Sequence, residues 1–430
     1  MRLTLLNPTE HAELIHWPLA EPLSDWTLPS MHRVLGLHRH VVRMLETPGA
    51  TFVIKELPDR LAEREYRLLR KLAEDELPAA AVVGMVTGRD NGADALLITR
   101  YLEYSLPYRV LLSGRGLQVP YLGERLLDAV AVLLVRLHLG GYFWGDCSLS
   151  NTLFRRDAGA LAAYVIDVET SEHYASLSDG HRRLDLQTAT ENVAGDLTDL
   201  QCGGLLAEGI DPIETAMAIT NSYERLWSEL TVVEEFSADE TFRVDQRLRR
   251  LHELGFDASE LELVSGAGGR TVRLVPRVVE HGFQAQQLRT LTGIRAGENQ
   301  ARRLLNDIHR YGTTLESRTG RHLRESLLAI HWLDERYEPT LAALPPQLLE
   351  TQEPAELYHQ VLEHRWLLSE AAGTDVGLPA TVESYVRSVA GLVETEQRAL
   401  RTPPTEEIPV ITIEFDAIHD SNGGHGGFAR

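Results

Sequence analysis

The stretch Gly145-Asp146-Cys147-Ser148-Leu149-Ser150-Asn151-Thr152-Leu153-Phe154 decides how the chain is read. It follows an apolar run, 129–139, that belongs to a long buried helix over about 123–139 closed by Gly140-Gly141. The spacing Asp146-x4-Asn151 puts a carboxylate and a carboxamide on one loop. Asp and Asn are common in turns for conformational reasons alone, so the loop takes its meaning from its surroundings.

Downstream, RRDAGAL joins two short strands, 152–154 and 162–167, and the second, AYVID, ends in Asp167. Upstream, residues 33–57 alternate and read as strands around a turn at Thr47-Pro48-Gly49-Ala50, with Lys55 closing the run TFVIK. Pro58-Asp59 then opens a helix over about 60–76. Its apolar face is Leu61, Leu68, Leu69 and Leu72; at ~100° per residue Glu65 falls on that face and Glu63 nearly opposite. A carboxylate on an apolar face needs a partner, and Lys55 is the candidate. Lysine is scarce here: of 42 cationic residues only Lys55 and Lys71 are lysine.

The ordered set is strand lysine, helix glutamate, long helix, Asp-x4-Asn, hairpin, strand-end aspartate. Phosphoryl transfer uses such a set: a cation on the phosphates, a carboxylate that takes the acceptor proton, and an amide and a carboxylate on Mg²⁺. On these residues about half the chain resembles the protein-kinase-like superfamily, in particular the bacterial lipopolysaccharide-core (Kdo) kinases and atypical small-molecule kinases with a GD-x4-N loop. The resemblance implies that Lys55 binds phosphates, Glu65 braces it, Asp146 is the base, and Asn151 and Asp167 bind metal. Tyr101 and Leu102 complete the expected nucleotide-binding set, with ATP and Mg²⁺ as cofactors. The layout also looks like a bacterial family that adds a C-terminal domain of no assigned role. The departures are definite. VLGLHRH has only Gly36 in place of a Gly-x-Gly-x-x-Gly loop, the metal motif is Asp167-Val168-Glu169, Trp144-Gly145 replaces His-Arg, and no Ala-Pro-Glu follows. They argue against an ordinary Ser/Thr protein kinase.

The expected fold is α+β: a bilobal kinase-like fold followed by a mainly helical domain. A β-rich lobe spans 1–104, with strands 81–87 and 95–101 turning at Asn91-Gly92. A helical lobe spans 105–235, and a C-terminal domain spans 236–400. In the latter, ELELV and TVRLV pair around SGAGGR, and helices follow at about 284–292, 297–311, 320–336, 354–371 and 378–399. A tail, 401–430, is expected to be disordered, with PVITIEF as a possible edge strand. Two cysteines, Cys147 and Cys202, form no disulfide framework, and a reducing cytoplasm is the natural compartment. No signal peptide and no apolar run long enough for a membrane span are evident.

The net charge of −21 disfavours general nucleic-acid binding. Residues 270–325, with eleven Arg and five acids, run the other way. Arg289, Arg295, Arg302, Arg303 and Arg310 either pair internally, the favoured reading, or grip a polyanion such as nucleic acid. Asp196 reads as a brace for the catalytic loop, by analogy with small-molecule kinases, or as a helix cap. Cys147 reads as packing rather than reactive, and His38 and His40 as exposed strand residues rather than phosphate contacts. His331, His359 and His364 lack ligand spacing, so no zinc site is expected. Trp332, Tyr337, Tyr358 and Trp366 read as core or as a partner groove. Three function classes stand: a kinase acting on an unidentified hydroxyl acceptor, an ATP-binding pseudokinase, and a scaffold or nucleic-acid-associated protein whose C-terminal domain carries the function; a protein partner is expected through that domain.

Overall fold

Strand β4, Thr51–Leu57, alternates along TFVIKEL, and its two faces enter different cores. Phe52 and Ile54 join one buried cluster; Lys55, opposite Leu97, lies on the other face. The structure is a computed structural model describing residues 1–33, 39–112, 122–206, 209–231, 234–237, 261–265, 271–276, 282–320 and 323–388. With β1 (Arg2–Leu5), β2 (Met31–Arg33), β3 (Val41–Glu46), β5 (Val82–Thr87) and β6 (Ala95–Arg100), β4 forms a 6-stranded sheet ordered β1-β5-β6-β4-β3-β2. Every neighbouring pair is antiparallel.

Helix α1, Asp59–Glu74, covers one face, burying Ala62, Glu65, Tyr66, Leu69 and Leu72. The other face is covered by the N-terminal segment, for which the sequence suggests no element. Besides β1 it supplies two short 3₁₀ turns, Ala12–His16 and Leu23–Asp25. Leu14, Leu19, Leu23 and Trp26 pack onto Phe52, Ile54, Leu96 and Ile98, each burial worth about 2 kcal/mol by area. The buried Arg89 fastens this strap. Its guanidinium donates to the Leu19 carbonyl at 2.8 Å, to the Glu21 carbonyl, and to Glu56 at 2.5 Å. Glu56 in turn accepts from the Leu23 N–H.

The second lobe is built on α3, Leu122–Leu139, between α5 (Pro212–Thr231) and a hairpin of β9 (Thr152–Asp157) and β10 (Ala160–Val165). Helix α4, Asp179–Cys202, packs on α5. The hairpin strands run further into RRDAGAL than expected, turning only at Ala158-Gly159. Two-residue strands β7 (Leu106–Pro107), β8 (Tyr142–Phe143) and β11 (Glu172–His173) and the short α2, Tyr108–Leu112, complete it. Gly141 ends α3 at φ +81, and a Cβ there would lie 2.2 Å from the Tyr174 carbonyl. That turn therefore requires glycine.

The C-terminal region begins with a 3-stranded sheet of β12 (Glu234–Ser237), β13 (Leu261–Ser265) and β14 (Thr271–Pro276), β14 in the middle. Helices follow: α6 (Phe283–Thr292), α7 (Glu298–Thr319), α8 (Glu325–Trp332), then a π turn, Leu333–Tyr337, and shorter elements up to Pro354–Ala372. Trp332, Tyr337 and Tyr358 stack in its core, and the Trp332 and Tyr358 donors meet Asp307 Oδ2 at 2.7 and 2.9 Å. Trp366, by contrast, is 62% exposed. The SGAGGR turn from 266 to 270, the helix beyond 388 and the 401–430 tail with PVITIEF lie outside the described residues.

The hairpin β9–β10 contacts the C-terminal region. Asp157, at its turn, accepts from the Gln300 N–H at 2.8 Å and the Asn299 N–H at 3.2 Å, so it caps α7. Ala158 N–H donates to Glu356 at 2.8 Å, and Arg155 pairs with Glu353 at 2.5 Å. Gly297 makes the approach possible: a Cβ there would sit 2.5 Å from Asp157 Oδ1. Gly297→Ala is therefore expected to destabilise the chain by about 1–3 kcal/mol, read as a lower urea midpoint. Asp157→Ala, which removes the clash partner, should make the same Gly297→Ala change nearly neutral. Equal penalties in both backgrounds would sink this account.

Candidate active site

Lys55 lies on the α1 face of the sheet, and two carboxylates from different elements meet its ammonium. Nζ is 3.1 Å from Glu65 Oε2 on α1 and 3.0 Å from Asp167 Oδ2 at the exit of β10. Glu169 Oε2 is 3.5 Å away. Burial alone would lower the lysine, but Glu65 and Asp167 raise it above its ordinary value, so it stays a cation. Glu65 is 1% exposed, whereas Glu63 is at the surface beside Arg2.

Asp146 is exposed, and amide N–H groups fix both its carboxylate oxygens. Asn151 Nδ2 donates to Oδ2 at 3.2 Å and to the Asp146 carbonyl at 3.0 Å. Asn192 Nδ2 donates to Oδ1 at 3.1 Å and to the Cys147 carbonyl. A carboxylate accepts only, so Asn151 must turn Nδ2 toward it, which leaves Oδ1 as a metal-type donor. Backbone bonds bring the loop to Asp167: Ile166 N–H to the Asn151 carbonyl at 3.1 Å, and Trp144 Nε1 to the Asp167 carbonyl at 3.1 Å.

Tyr101 and Leu102 stand where β6 leaves the sheet. The Tyr101 N–H donates to the Thr51 carbonyl at 2.8 Å, and the Leu102 carbonyl accepts from Ser105. The first bond ties the end of β6 to β4 and the second lies within the connection, and neither reaches Lys55 or Asp167.

Sequence reasoning missed most of the frame under the loop. Asp185, fully buried on α4, accepts from the Trp144 and Gly145 N–H groups at 2.7 Å each and from His138 Nε2 at 3.1 Å. Asp196 Oδ2 accepts from the Leu149 and Ser150 N–H groups at 2.9 and 3.3 Å, and Tyr108 donates to its Oδ1. Asp196 lies mid-helix, so the helix-cap alternative is wrong. Burial raises its carboxyl against the pull of those N–H groups. Asp185, Asn192 and Asp196 are spaced 7 and 4 apart, which at ~100° per residue puts them within about 20° of one line. A polar stripe at that spacing, among Ala189, Val193 and Leu200, was the available signal.

His40 is not an exposed strand histidine. Its side chain is 13% exposed, with Nε2 3.0 Å from Glu169 Oε2. His38 and Gly36 lie outside the described residues. Cys147 is buried, and burial pushes its thiol well above the usual range, which suits packing. Arg289, Arg295, Arg303 and Arg310 are exposed, while Arg302 is half-buried and bonds Asn299.

Residues 33–195 match the Lipopolysaccharide kinase (Kdo/WaaP) family, and residues 225–390 match a Domain of unknown function (DUF4032). The chain thus carries a Kdo/WaaP-family kinase-like domain followed by a domain of unassigned role. A solved structure, WaaP in complex with acyl carrier protein, is 20% identical over 59% of this chain and 99% of that one, with a TM-score of 0.36. No curated protein matches. Among the described residues no helix is long and apolar enough to cross a membrane.

The site carries a pH signature. Burial, opposed by Lys55 and reinforced by Asp167 and Glu169, pushes Glu65 up to about 7. The folded chain then holds this proton more tightly than the unfolded chain, so the contribution is full below the ordinary 4.5 and is lost as pH rises through about 7. Between pH 5 and 8 the wild type should lose on the order of 1–3 kcal/mol relative to Glu65→Gln in chemical denaturation. Parallel pH curves for the two proteins would contradict the assignment.

Proposed function

We propose that the cleft between the two lobes binds ATP with Mg²⁺ and transfers the γ-phosphoryl group to a hydroxyl acceptor. The observation that carries this reading is Lys55 held between Glu65 and Asp167 beside a loop that fixes both Asp146 oxygens. Membership of residues 33–195 in a kinase family points the same way.

Lys55 takes the phosphates, with Glu65 setting its position. Asp146 receives the acceptor proton as the hydroxyl oxygen bonds to the γ-phosphorus. The bond from that phosphorus to the β–γ bridging oxygen breaks, and ADP leaves. Two amides on the Asp146 carboxylate hold it in one rotamer and leave lone pairs for the acceptor. Tyr101 and Leu102, where β6 leaves the sheet, would line the nucleotide base in this reading. Bound Mg²⁺ would supply charge neutralisation on the β- and γ-oxygens, held by Asp167 and the Asn151 Oδ1. The donor set suits that ion: among the described residues no three His, Cys, Asp or Glu side chains converge as a self-sufficient metal cage. Mg²⁺ characteristically takes one or two protein groups and completes its shell with phosphate and water.

A thermal shift with ATP and Mg²⁺ tests the reading. Ligand at ~100 times its dissociation constant adds ~2.7 kcal/mol, a rise of a few degrees in a chain of this size. The rise should be lost in Asp167→Asn. Asp146→Asn should keep it while γ-phosphate release falls by roughly 10²–10⁴. A wild type that gives no metal-dependent shift at millimolar ATP rejects the proposal. Binding without turnover in the wild type would leave the pseudokinase.

A further inference from the structure

We propose that His40 and Arg39, on the sheet side of the cleft, are phosphate ligands that act with Lys55, and that Glu169 occupies the phosphate position until nucleotide arrives. The inference rests on the nucleotide reading above and names which residues recognise the triphosphate.

Three nitrogen donors converge on the Glu169 carboxylate. His40 Nε2 is 3.0 Å from Oε2, Lys55 Nζ is 3.5 Å from the same oxygen, and Arg39 Nη1 is 3.5 Å from Oε1. His40, Lys55 and Glu169 are each 13–14% exposed at the side chain, so the cluster is held within the cleft, while Arg39, at 80%, is free to swing. Because a carboxylate only accepts, the imidazole presents Nε2–H to it. Lysine, arginine and an imidazole N–H around two oxygens are the donors that a phosphate group takes equally well.

The cluster also answers a gap in the sequence. A glycine-rich loop binds phosphates through backbone N–H groups that need close approach. The stretch before β3 has Gly36 as its one glycine and cannot offer that repeat. Arg39 and His40 immediately precede β3, on the side of the sheet hairpin that faces Asp167 and Glu169. Side-chain donors therefore replace backbone donors. Glu169, two residues past Asp167, keeps those donors gathered while the cleft is empty and yields them to the phosphates.

Calorimetric titration of the full chain with ATP and with AMP, both with Mg²⁺, tests this. His40→Gln should weaken ATP on the order of tenfold, as expected for one charge-assisted hydrogen bond, and leave AMP within about twofold. Glu169→Gln should tighten ATP several-fold and change AMP little, because a competing carboxylate has been removed. Circular dichroism melts establish that both variants are folded. If the wild type prefers ATP and His40→Gln keeps the same ATP-to-AMP ratio, the phosphate role of His40 is wrong while the nucleotide site stands. If Glu169→Gln weakens ATP, Glu169 is no stand-in. If the wild type binds neither nucleotide, the reading of the whole site falls and this inference with it.

Discussion

The loop from Trp144 to Asn151 keeps its shape because α4 offers it a row of polar groups from beneath. Asp185 takes the N–H groups of Trp144 and Gly145, Asn192 takes the Asp146 carboxylate, and Asp196 takes the N–H groups of Leu149 and Ser150. A loop that exposes the Asp146 carboxylate in this way does not satisfy its backbone in a sheet or helix. Its buried donors need acceptors from elsewhere, since an unpaired buried N–H costs about 1–3 kcal/mol. A straight helix supplies them at fixed spacing, so the geometry of the loop is inherited from the rigidity of α4. His138 ties this row to α3, and Tyr223, 2.7 Å from its other nitrogen, ties it to α5.

The opposite wall of the cleft is organised by charge. Lys55 meets Glu65, Asp167 and Glu169, and Arg39 and His40 also face Glu169. Burial, with Asp167 and Glu169, drives Glu65 upward in pKa against the pull of Lys55, while Glu65 and Asp167 raise Lys55. The sheet that carries Lys55 is covered on both sides: α1 covers one face, and the N-terminal strap, fastened by buried Arg89, covers the other.

What could be read from the sequence follows from how local each signal is. The alternation of TFVIKEL, the face of α1 bearing Glu65 and the long apolar α3 are short-range patterns, and the elements stand where those patterns put them, within a few residues. The strap escaped because its turns have no periodicity; its structure is dictated by contacts with Phe52, Ile54 and Arg89, which come later in the chain. Asp185 escaped for another reason. Aspartate inside an apolar helix face reads as a surface residue unless its backbone partners, some 40 positions upstream, are known. His40 was misread because the carboxylate it meets lies 129 residues away.

Among the described residues, the strand β9 and the turn after it bind the domain of unassigned role to this frame by hydrogen bonds and an ion pair. β9 starts at Thr152, directly after Asn151, and ends at Asp157, whose buried carboxylate caps α7. A strand of six residues spans roughly 17–20 Å and does not stretch, so the position of α7 and the position of Asn151 are mechanically linked. Arg155 to Glu353 and Ala158 to Glu356 fix the far end of that strand against rotation. The loop is therefore clamped from below by α4 and held at its C-terminal end by the second domain. An event that shifts the second domain against the hairpin must either break the Asp157 cap, leaving a buried carboxylate without donors, or carry β9 with it. The first is costly, so the Asp157 cap holds the hairpin and α7 together.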